Sequence, residues 1–185
     1  MATDRTAVIG FPVDHSLSPI IHNHWIKELG LDTKPYEKIN VDPNKFEEQI
    51  NNLKAEGYGG LNVTVPLKEL AFSISDEASS VSKKLKSVNT LSLNSEKING
   101  DNTDAVGFIN SLDKKTIENN ITNKKTLVLG AGGSARSVVH ALNEMGGHVR
   151  LFNRTPEKAA ILLNDLSINS SPVSTEELDD YANSS

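Results

Sequence analysis

A glycine-rich turn between a strand and a helix confines the second half of this chain to one kind of local fold. The apolar run Thr126-Leu127-Val128-Leu129 leads into Gly130-Ala131-Gly132-Gly133-Ser134-Ala135, and a helical pattern follows as far as Met145. The turn reads G-x-G-x-x-A. Its first glycine, Gly130, permits the tight turn. Gly132 lets a pyrophosphate approach the backbone, and Ala135 keeps the helix close to the strand. The helix N-terminus offers unsatisfied N–H groups and the positive end of a dipole to phosphate. Gly146-Gly147 stops the helix, and His148 to Asn153 reads as the next strand. The unit is the start of a doubly wound nucleotide-binding fold, with Gly130, Ala131, Gly132, Gly133, Ser134 and Ala135 as the phosphate-binding loop.

The end of the second strand bears on which nucleotide. In such units an Asp or Glu at this place holds the 2′-hydroxyl of NAD. Here the strand ends Leu151-Phe152-Asn153-Arg154-Thr155 and carries no carboxylate. Arg154 is suited to fork onto a 2′-phosphate, Asn153 and Thr155 to donate hydrogen bonds, and Lys158 to add charge. The pattern favours NADP over NAD.

The first half also alternates strands and helices. Thr6 to Pro12 reads as a strand. Ser18-Pro19 opens a helix with Ser18 as N-cap and an apolar face of Ile20, Ile21, His24, Trp25 and Leu29. Pro35 to Val41 reads as a second strand, and Asp42-Pro43 opens a helix with Phe46, Ile50 and Leu53 on one side. Gly57, Gly59 and Gly60 break that helix. Leu61 to Val65 makes a third strand, and Lys68 to Lys86 is mostly helical with a break near Ser75-Asp76. Asn89 to Leu93 and Lys97 to Asn99 pattern as a hairpin, and Asp104 begins a further helix. The polar stretch Asp113 to Lys125 reads as a boundary segment. Past the glycine turn, Pro156 to Leu166 reads as a helix, Val173 as part of a weak strand and Ser174 to Glu177 as another helix start. This order indicates an α/β protein with parallel sheets. Residues 1–105 form one α/β domain. Residues 106–185 form a linker helix and the N-terminal part of a Rossmann-type domain, which usually needs about six strands and has two clear ones here. The expectation is a chain that lacks its C-terminal part.

Composition narrows the partners. The 185 residues carry a formal charge of −5 and only 5% aromatics, which argues against nucleic acid or an anionic membrane surface as partner. There is no cysteine, so disulfides, thiolate metal sites and thiol nucleophiles are excluded. A chain without cysteine suits a reducing, cytoplasmic setting. No signal peptide is read at the start, and no apolar run approaches the roughly 18 residues of a membrane span.

Three polar clusters in the first half sit at strand ends or turns. His15-Ser16-Leu17-Ser18-Pro19 places two hydroxyls beside a helix start, a small carboxylate site beyond the need for a cap. Asn62-Val63-Thr64-Val65-Pro66-Leu67-Lys68 puts Asn62 and Thr64 on one face of a strand with a lysine just past its end. Asn89-Thr90 and Gly100-Asp101-Asn102-Thr103-Asp104 form the third, although Asp101 or Thr103 serves equally as a helix cap and Asp104 is favourable at a helix start. His22 and His24, two apart on a helix, face different sides and have no third ligand, so no metal site is expected.

Taken in order, these pieces resemble the shikimate dehydrogenase family: His15 to Pro19, Asn62 to Pro66 with Lys68, Val88-Asn89-Thr90, Gly100 to Asp104, Gly130 to Arg136, and Asn153 to Thr155. The resemblance implies an NADP-dependent enzyme that interconverts 3-dehydroshikimate and shikimate in aromatic amino acid biosynthesis, as a monomer or homodimer. It implies an N-terminal substrate domain, a dinucleotide domain and a cleft between them. It implies Lys68 and Asp104 as the catalytic pair, Ser16 and Ser18 on the substrate carboxylate, and Thr64, Asn89 and Asp104 on the ring hydroxyls with Asn62 close by. The two serines suit shikimate; relatives acting on quinate vary there. Ala105 stands where the family commonly has glycine. The family's later nicotinamide-flanking loop, and its glutamine and tyrosine contacts to substrate, would fall beyond Ser185. Two other readings stand beside this one: a non-catalytic shikimate- or quinate-binding module or inactive fragment, and a quinate/shikimate dehydrogenase.

Overall fold

Strand β3 (Tyr58–Val63) has one face in the core and one face polar, and the sheet of the first half is built around it. Leu61 and Val63 are buried, whereas Asn62 between them is half-buried. A computed structural model describes residues 5–178. The readings that concern residues 1–4 and 181–185, the absence of a leader and the continuation of the last helix, lie outside the described residues. The chain divides into two units, Met1–Asn102 and Thr103–Ser185.

In the first unit, β1 (Arg5–Gly10), β2 (Glu37–Asn40), β3, β4 (Glu77–Ala78), β5 (Thr90–Ser92) and β6 (Asn99–Asp101) form one sheet in the order β2-β1-β3-β5-β6-β4. The pairs β1–β2, β1–β3 and β4–β6 are parallel. The pairs β3–β5 and β5–β6 are antiparallel. The sheet is therefore mixed. The β5–β6 hairpin forces this, because a short turn can join only antiparallel strands.

One face of the sheet carries Ala7, Ile9, Leu61, Val63 and Leu91, packed with Phe46, Ile50 and Leu53 of α2 (Phe46–Ala55) and with Leu67 and Ala71 beside and within α3 (Lys68–Ser73). The i, i+4, i+7 spacing in α2 delivers the three core residues expected of it. The other face holds a small cluster of Val8, Val13 and Tyr36 against Ile26 of α1 (Ser18–Glu28).

Several local expectations are corrected. The expected apolar face of α1 is turned to solvent: Ile20 and Leu29 are each 69% exposed, Trp25 53% and Ile21 46%. The helix meets the sheet instead through His22, Asn23 and Ile26, because Asn23 brackets the Tyr36 backbone, accepting from its N–H at 2.7 Å and donating to its carbonyl at 3.0 Å. Ser18 is the first helical residue rather than the cap, and its N–H donates to Ser16 Oγ at 3.3 Å. Gly59 and Gly60 lie inside β3, and only Gly57, at φ +89°, ends α2. The helical stretch after Lys68 breaks near Ser75-Asp76 as expected, into α3 and α4 (Ser80–Leu85), and the short strand β4 in that break was not expected.

In the second unit, α5 (Asp104–Asn110) packs on α7 (Gly133–Glu144), and α6 (Lys114–Asn120) occupies the polar stretch after Asp113, whose side chain caps it by accepting from Thr116 N–H at 2.9 Å. Strands β7 (Lys125–Leu129) and β8 (His148–Phe152) are parallel, with α7 against both and α8 (Pro156–Asp165) against β8. β7 is not the buried strand its composition suggested. Among the described residues it pairs with β8 alone, and Leu129 is 67% exposed. Val173 is not in a strand, although it is buried and its N–H donates to Leu151 O at 2.8 Å. Ser174 and Glu177 form a reciprocal cap at the start of helical residues 175–178. Arg136 of α7 and Asp165 of α8 form an ion pair at 2.9 Å with side chains only 9% and 12% exposed.

Candidate functional site

Backbone hydrogen bonds draw four loop segments of the first unit together at one end of the sheet. Thr64 N–H donates to Ile9 O at 2.9 Å, and Phe11 N–H to Val65 O at 3.1 Å. Val63 N–H donates to Asn89 O at 2.7 Å, Val88 N–H to Lys68 O at 2.9 Å, and Asn89 N–H to Asp101 O at 3.0 Å. Segments 9–11, 63–68 and 88–89 and Asp101 are thereby fixed to one another without any side chain taking part.

Side chains complete the frame. Asn102 is buried, and its Nδ2 donates to Ser87 O at 3.0 Å, tying the loop before α5 to the loop before β5. Asn40 Oδ1 accepts from Val13 N–H at 2.9 Å and holds the loop that leads to Ser16. Gly10 and Gly100 are needed for close approach. A Cβ on Gly10 would stand 2.6 Å from Thr64 Cγ2, and one on Gly100 would stand 2.3 Å from Ser75 Oγ and 2.7 Å from Val88 Cγ2.

On this frame sits a row of polar side chains. Asn62 lies opposite Thr90 across β3 and β5, and beside Val8 across β3 and β1. Asn62 Nδ2 donates to Thr90 Oγ1 at 3.4 Å, and Thr90 Oγ1 donates to Asn89 Oδ1 at 3.0 Å. Asn62, Thr64, Asn89, Ser16 and Ser18 are all half-buried, accessible to a small ligand yet shielded on one side. Lys68 begins α3 and is only 8% exposed. Buried lysines are rare without a purpose or a partner. Asp104, the other expected member of the reacting pair, is the first residue of α5 and belongs to the second unit.

Tyr36 and Asn102 were missed by the sequence reading. Tyr36 is 5% exposed, and its hydroxyl donates to Asn62 Oδ1 at 2.7 Å. Burial pushes that hydroxyl above the ordinary phenol range, so it stays a donor. The available signal was a tyrosine just before the edge strand β2, whose buried hydroxyl must find a partner. Asn102 stands inside the motif Gly100 to Asp104, but nothing in that pattern separates a buried tie from a ligand contact.

In the second unit the glycine turn runs from β7 to α7. Gly130 has φ +109°, which disfavours any side chain, and its N–H donates to Phe152 O at 2.8 Å. Gly132 is different. It is exposed, and a Cβ there would meet no atom within 4 Å. Packing within the chain does not require glycine at 132; an external group brought against the backbone would. Gly132 is the N-cap residue of α7 and supplies no side-chain cap, so the first-turn N–H groups face the turn. Gly133 opens the helix, Ser134 is exposed, and Ala131 and Ala135 are half-buried. Asn153 Oδ1 accepts from Ala131 N–H at 3.2 Å, and its Nδ2 donates to Thr155 O at 2.8 Å, so the second strand's end braces the phosphate loop. Arg154, Thr155 and Lys158 beside it are exposed. Donors, open backbone and a cation without a carboxylate on this loop fit a dinucleotide with a phosphorylated ribose.

Comparison with known proteins bears on both units. Residues 8–91 match the family described as the shikimate dehydrogenase substrate binding domain, and residues 111–185 match the family described as shikimate/quinate 5-dehydrogenase. The chain is 43% identical over 158 residues to a shikimate dehydrogenase (NADP(+)) of Methylocella silvestris, covering 85% of this chain and 56% of that protein. It is 44% identical over 161 residues to the Brucella abortus protein of the same name, covering 86% and 55%. Among solved structures, it resembles shikimate dehydrogenase from Aquifex aeolicus with TM-score 0.83 and 38% identity, over 95% of this chain and 64% of that one. It resembles the Thermus thermophilus enzyme, solved with NADP(H) and shikimate, with TM-score 0.77 and 36% identity, over 91% and 62%. The chain thus spans little more than half the length of the curated relatives it matches.

Proposed function

Because the chain belongs to the shikimate dehydrogenase family, we propose that it serves the NADP-dependent interconversion of 3-dehydroshikimate and shikimate, in a cytoplasmic setting. Residues 1–105 supply the substrate domain, and residues 106–185 supply the linker helix and the opening part of the cofactor domain. The observation that carries this reading is the polar row of Asn62, Thr64 and Thr90 on the sheet face opposite the main core, followed in the chain by Lys68, buried at the start of α3.

Each role follows from chemistry. The hydroxyls of Ser16 and Ser18 hold the substrate carboxylate. Thr64, Asn89 and Asp104 take its ring hydroxyls, with Asn62 behind them. A site that bonds each hydroxyl rejects analogues lacking one, since its own polar groups would be left unpaired. Converting a secondary alcohol to a ketone removes a hydride and a proton. Lys68 and Asp104 are the catalytic pair: Lys68 moves the proton at the reacting oxygen and stabilises charge there, while Asp104 orients the lysine and a substrate hydroxyl. NADP, when bound, accepts or delivers the hydride. Gly130 to Ala135 hold its pyrophosphate, Arg154 and Lys158 its 2′-phosphate, and Asn153 and Thr155 the loop between them.

The test is shikimate-dependent NADP⁺ reduction by the purified chain, read by absorbance, alongside a shikimate titration followed by NMR. Turnover abolished in Lys68→Ala supports the full reading. Binding that shifts resonances of residues 16–18, 62–68 and 89–90, without turnover, supports the substrate site alone. A folded chain that neither binds shikimate nor reduces NADP⁺ overturns the assignment.

A further inference from the structure

Tyr36 lies outside every motif and on the far side of Asn62 from Asn89, yet a one-way series of hydrogen bonds joins it to the substrate residues. Its hydroxyl donates to Asn62 Oδ1 at 2.7 Å. That bond turns the Asn62 oxygen toward the tyrosine and the amino group away from it. The amino group donates to Thr90 Oγ1 at 3.4 Å, and the single Thr90 hydroxyl proton then goes to Asn89 Oδ1 at 3.0 Å. A hydroxyl has one proton to give and an amide has distinct donor and acceptor ends. The direction set at Tyr36 is therefore inherited by every later link.

The tyrosine itself is held on all sides. Asn23 brackets its backbone, His22 stacks on its ring with centroids 4.2 Å apart and planes 8° from parallel, and Val8, Val13 and Ile26 surround it.

We propose that Tyr36 is a positioning residue which, through Asn62 and Thr90, sets the amide of Asn89 so that its amino group is the end that reads a hydroxyl of the bound substrate. This rests on the substrate assignment above. Without the phenol, Asn62 can turn its amide over and accept from Thr90. Thr90 then no longer donates to Asn89, and the Asn89 amide loses its fixed sense.

Two measurements separate the relay from the substrate assignment. In the ligand-free chain, Tyr36→Phe is expected to move the side-chain amide resonances of Asn62 and of Asn89, which Tyr36 does not bond; unchanged Asn89 resonances overturn the proposal. In the titration, Tyr36→Phe is expected to weaken shikimate binding about tenfold, the scale of one lost hydrogen bond. Thr90→Val, which cuts the relay downstream and keeps the shape, should weaken it comparably. The double variant should bind no worse than Thr90→Val alone, a non-additivity that general loosening of the core would not give. Fully additive losses overturn the relay. A wild-type chain that does not bind shikimate, while Asn89 still responds to Tyr36→Phe, sinks the substrate assignment and supports the relay.

Discussion

Gly10 lies so close to Thr64 that a Cβ on the glycine would stand 2.6 Å from the threonine methyl and 3.2 Å from Val65 O. The glycine of the first strand thus sets the position of a proposed substrate ligand just past the end of the third. Gly10→Ala must push Thr64 or the β3 end aside. We expect a loss of about 1–3 kcal/mol in unfolding free energy, the range for overpacking, and weaker shikimate binding. Denaturant melts and a shikimate titration check both, and unchanged Thr64 resonances in the variant would show that Gly10 does not set the position of Thr64.

Asn102 and Ser87 predict a second effect. The buried Asn102 amide is the tie between two loops that carry Asn89 and lead to Asp104. Asn102→Ala leaves Ser87 O without this donor, at a cost of about 1–3 kcal/mol. Hydrogen exchange should rise at Val88 and Asn89 before it rises in the core around Leu61.

The Arg136–Asp165 pair behaves differently from a surface pair because both side chains are nearly buried. Asp165→Ala removes the carboxylate that faces a nearly buried guanidinium and should cost about 3–5 kcal/mol, whereas replacing both partners by apolar residues should cost much less. A thermal melt of the single and double variants decides it.

Arg5, Glu37 and Tyr58 clasp β1, β2 and the start of β3. Arg5 Nη2 donates to Tyr58 Oη at 2.7 Å, and Tyr58 donates to Glu37 Oε2 at 2.7 Å. The Tyr58 hydroxyl, and then Arg5, hold the Glu37 carboxyl below its ordinary range, while burial and Glu37 push Tyr58 up to about 12. A lowered carboxylate pKa means that the unfolded chain binds the proton more readily. The stabilisation is complete above the unfolded carboxylate value and is lost as pH falls through the folded one. Glu37→Gln should therefore be less stable than wild type near neutral pH, by no more than about 1 kcal/mol for so exposed a pair. The two melting curves should converge in acid; a difference that persists there would contradict the linkage.

Arg154 is exposed at the end of β8, next to the loop braced by Asn153. Arg154→Ala should weaken NADPH binding about tenfold or more, with little change for NADH. Fluorescence titration with each nucleotide measures the ratio, and equal losses would remove Arg154 from the 2′-phosphate.

Much of this was legible in the chain because period and punctuation carry it. Alternation in Leu61-Asn62-Val63-Thr64 told which residues leave the core, and the spacing of Phe46, Ile50 and Leu53 told which enter it. The glycine turn announced itself by its flanks. What failed were questions that only neighbours answer. Ile20, Ile21 and Trp25 look like a helix's inner face, but bonds from Asn23 to a distant backbone turned α1 another way. Gly59 and Gly60 look like breakers, yet a strand paired on both sides tolerates them. The hydrogen bonds of Tyr36 and Asn102 span 26 and 15 residues of sequence, and no local pattern encodes such partners.

The two-sidedness of β3 has a bearing on quality control. Slipping that strand by one residue would send Asn62 and Thr64 into the main core and lift Leu61 and Val63 onto the polar row. A misregistered chain would bury two unsatisfied polar side chains and expose two aliphatic ones at a single stroke. The alternation that builds the proposed substrate surface therefore also proofreads the sheet, and a molecule that has lost one cannot keep the other.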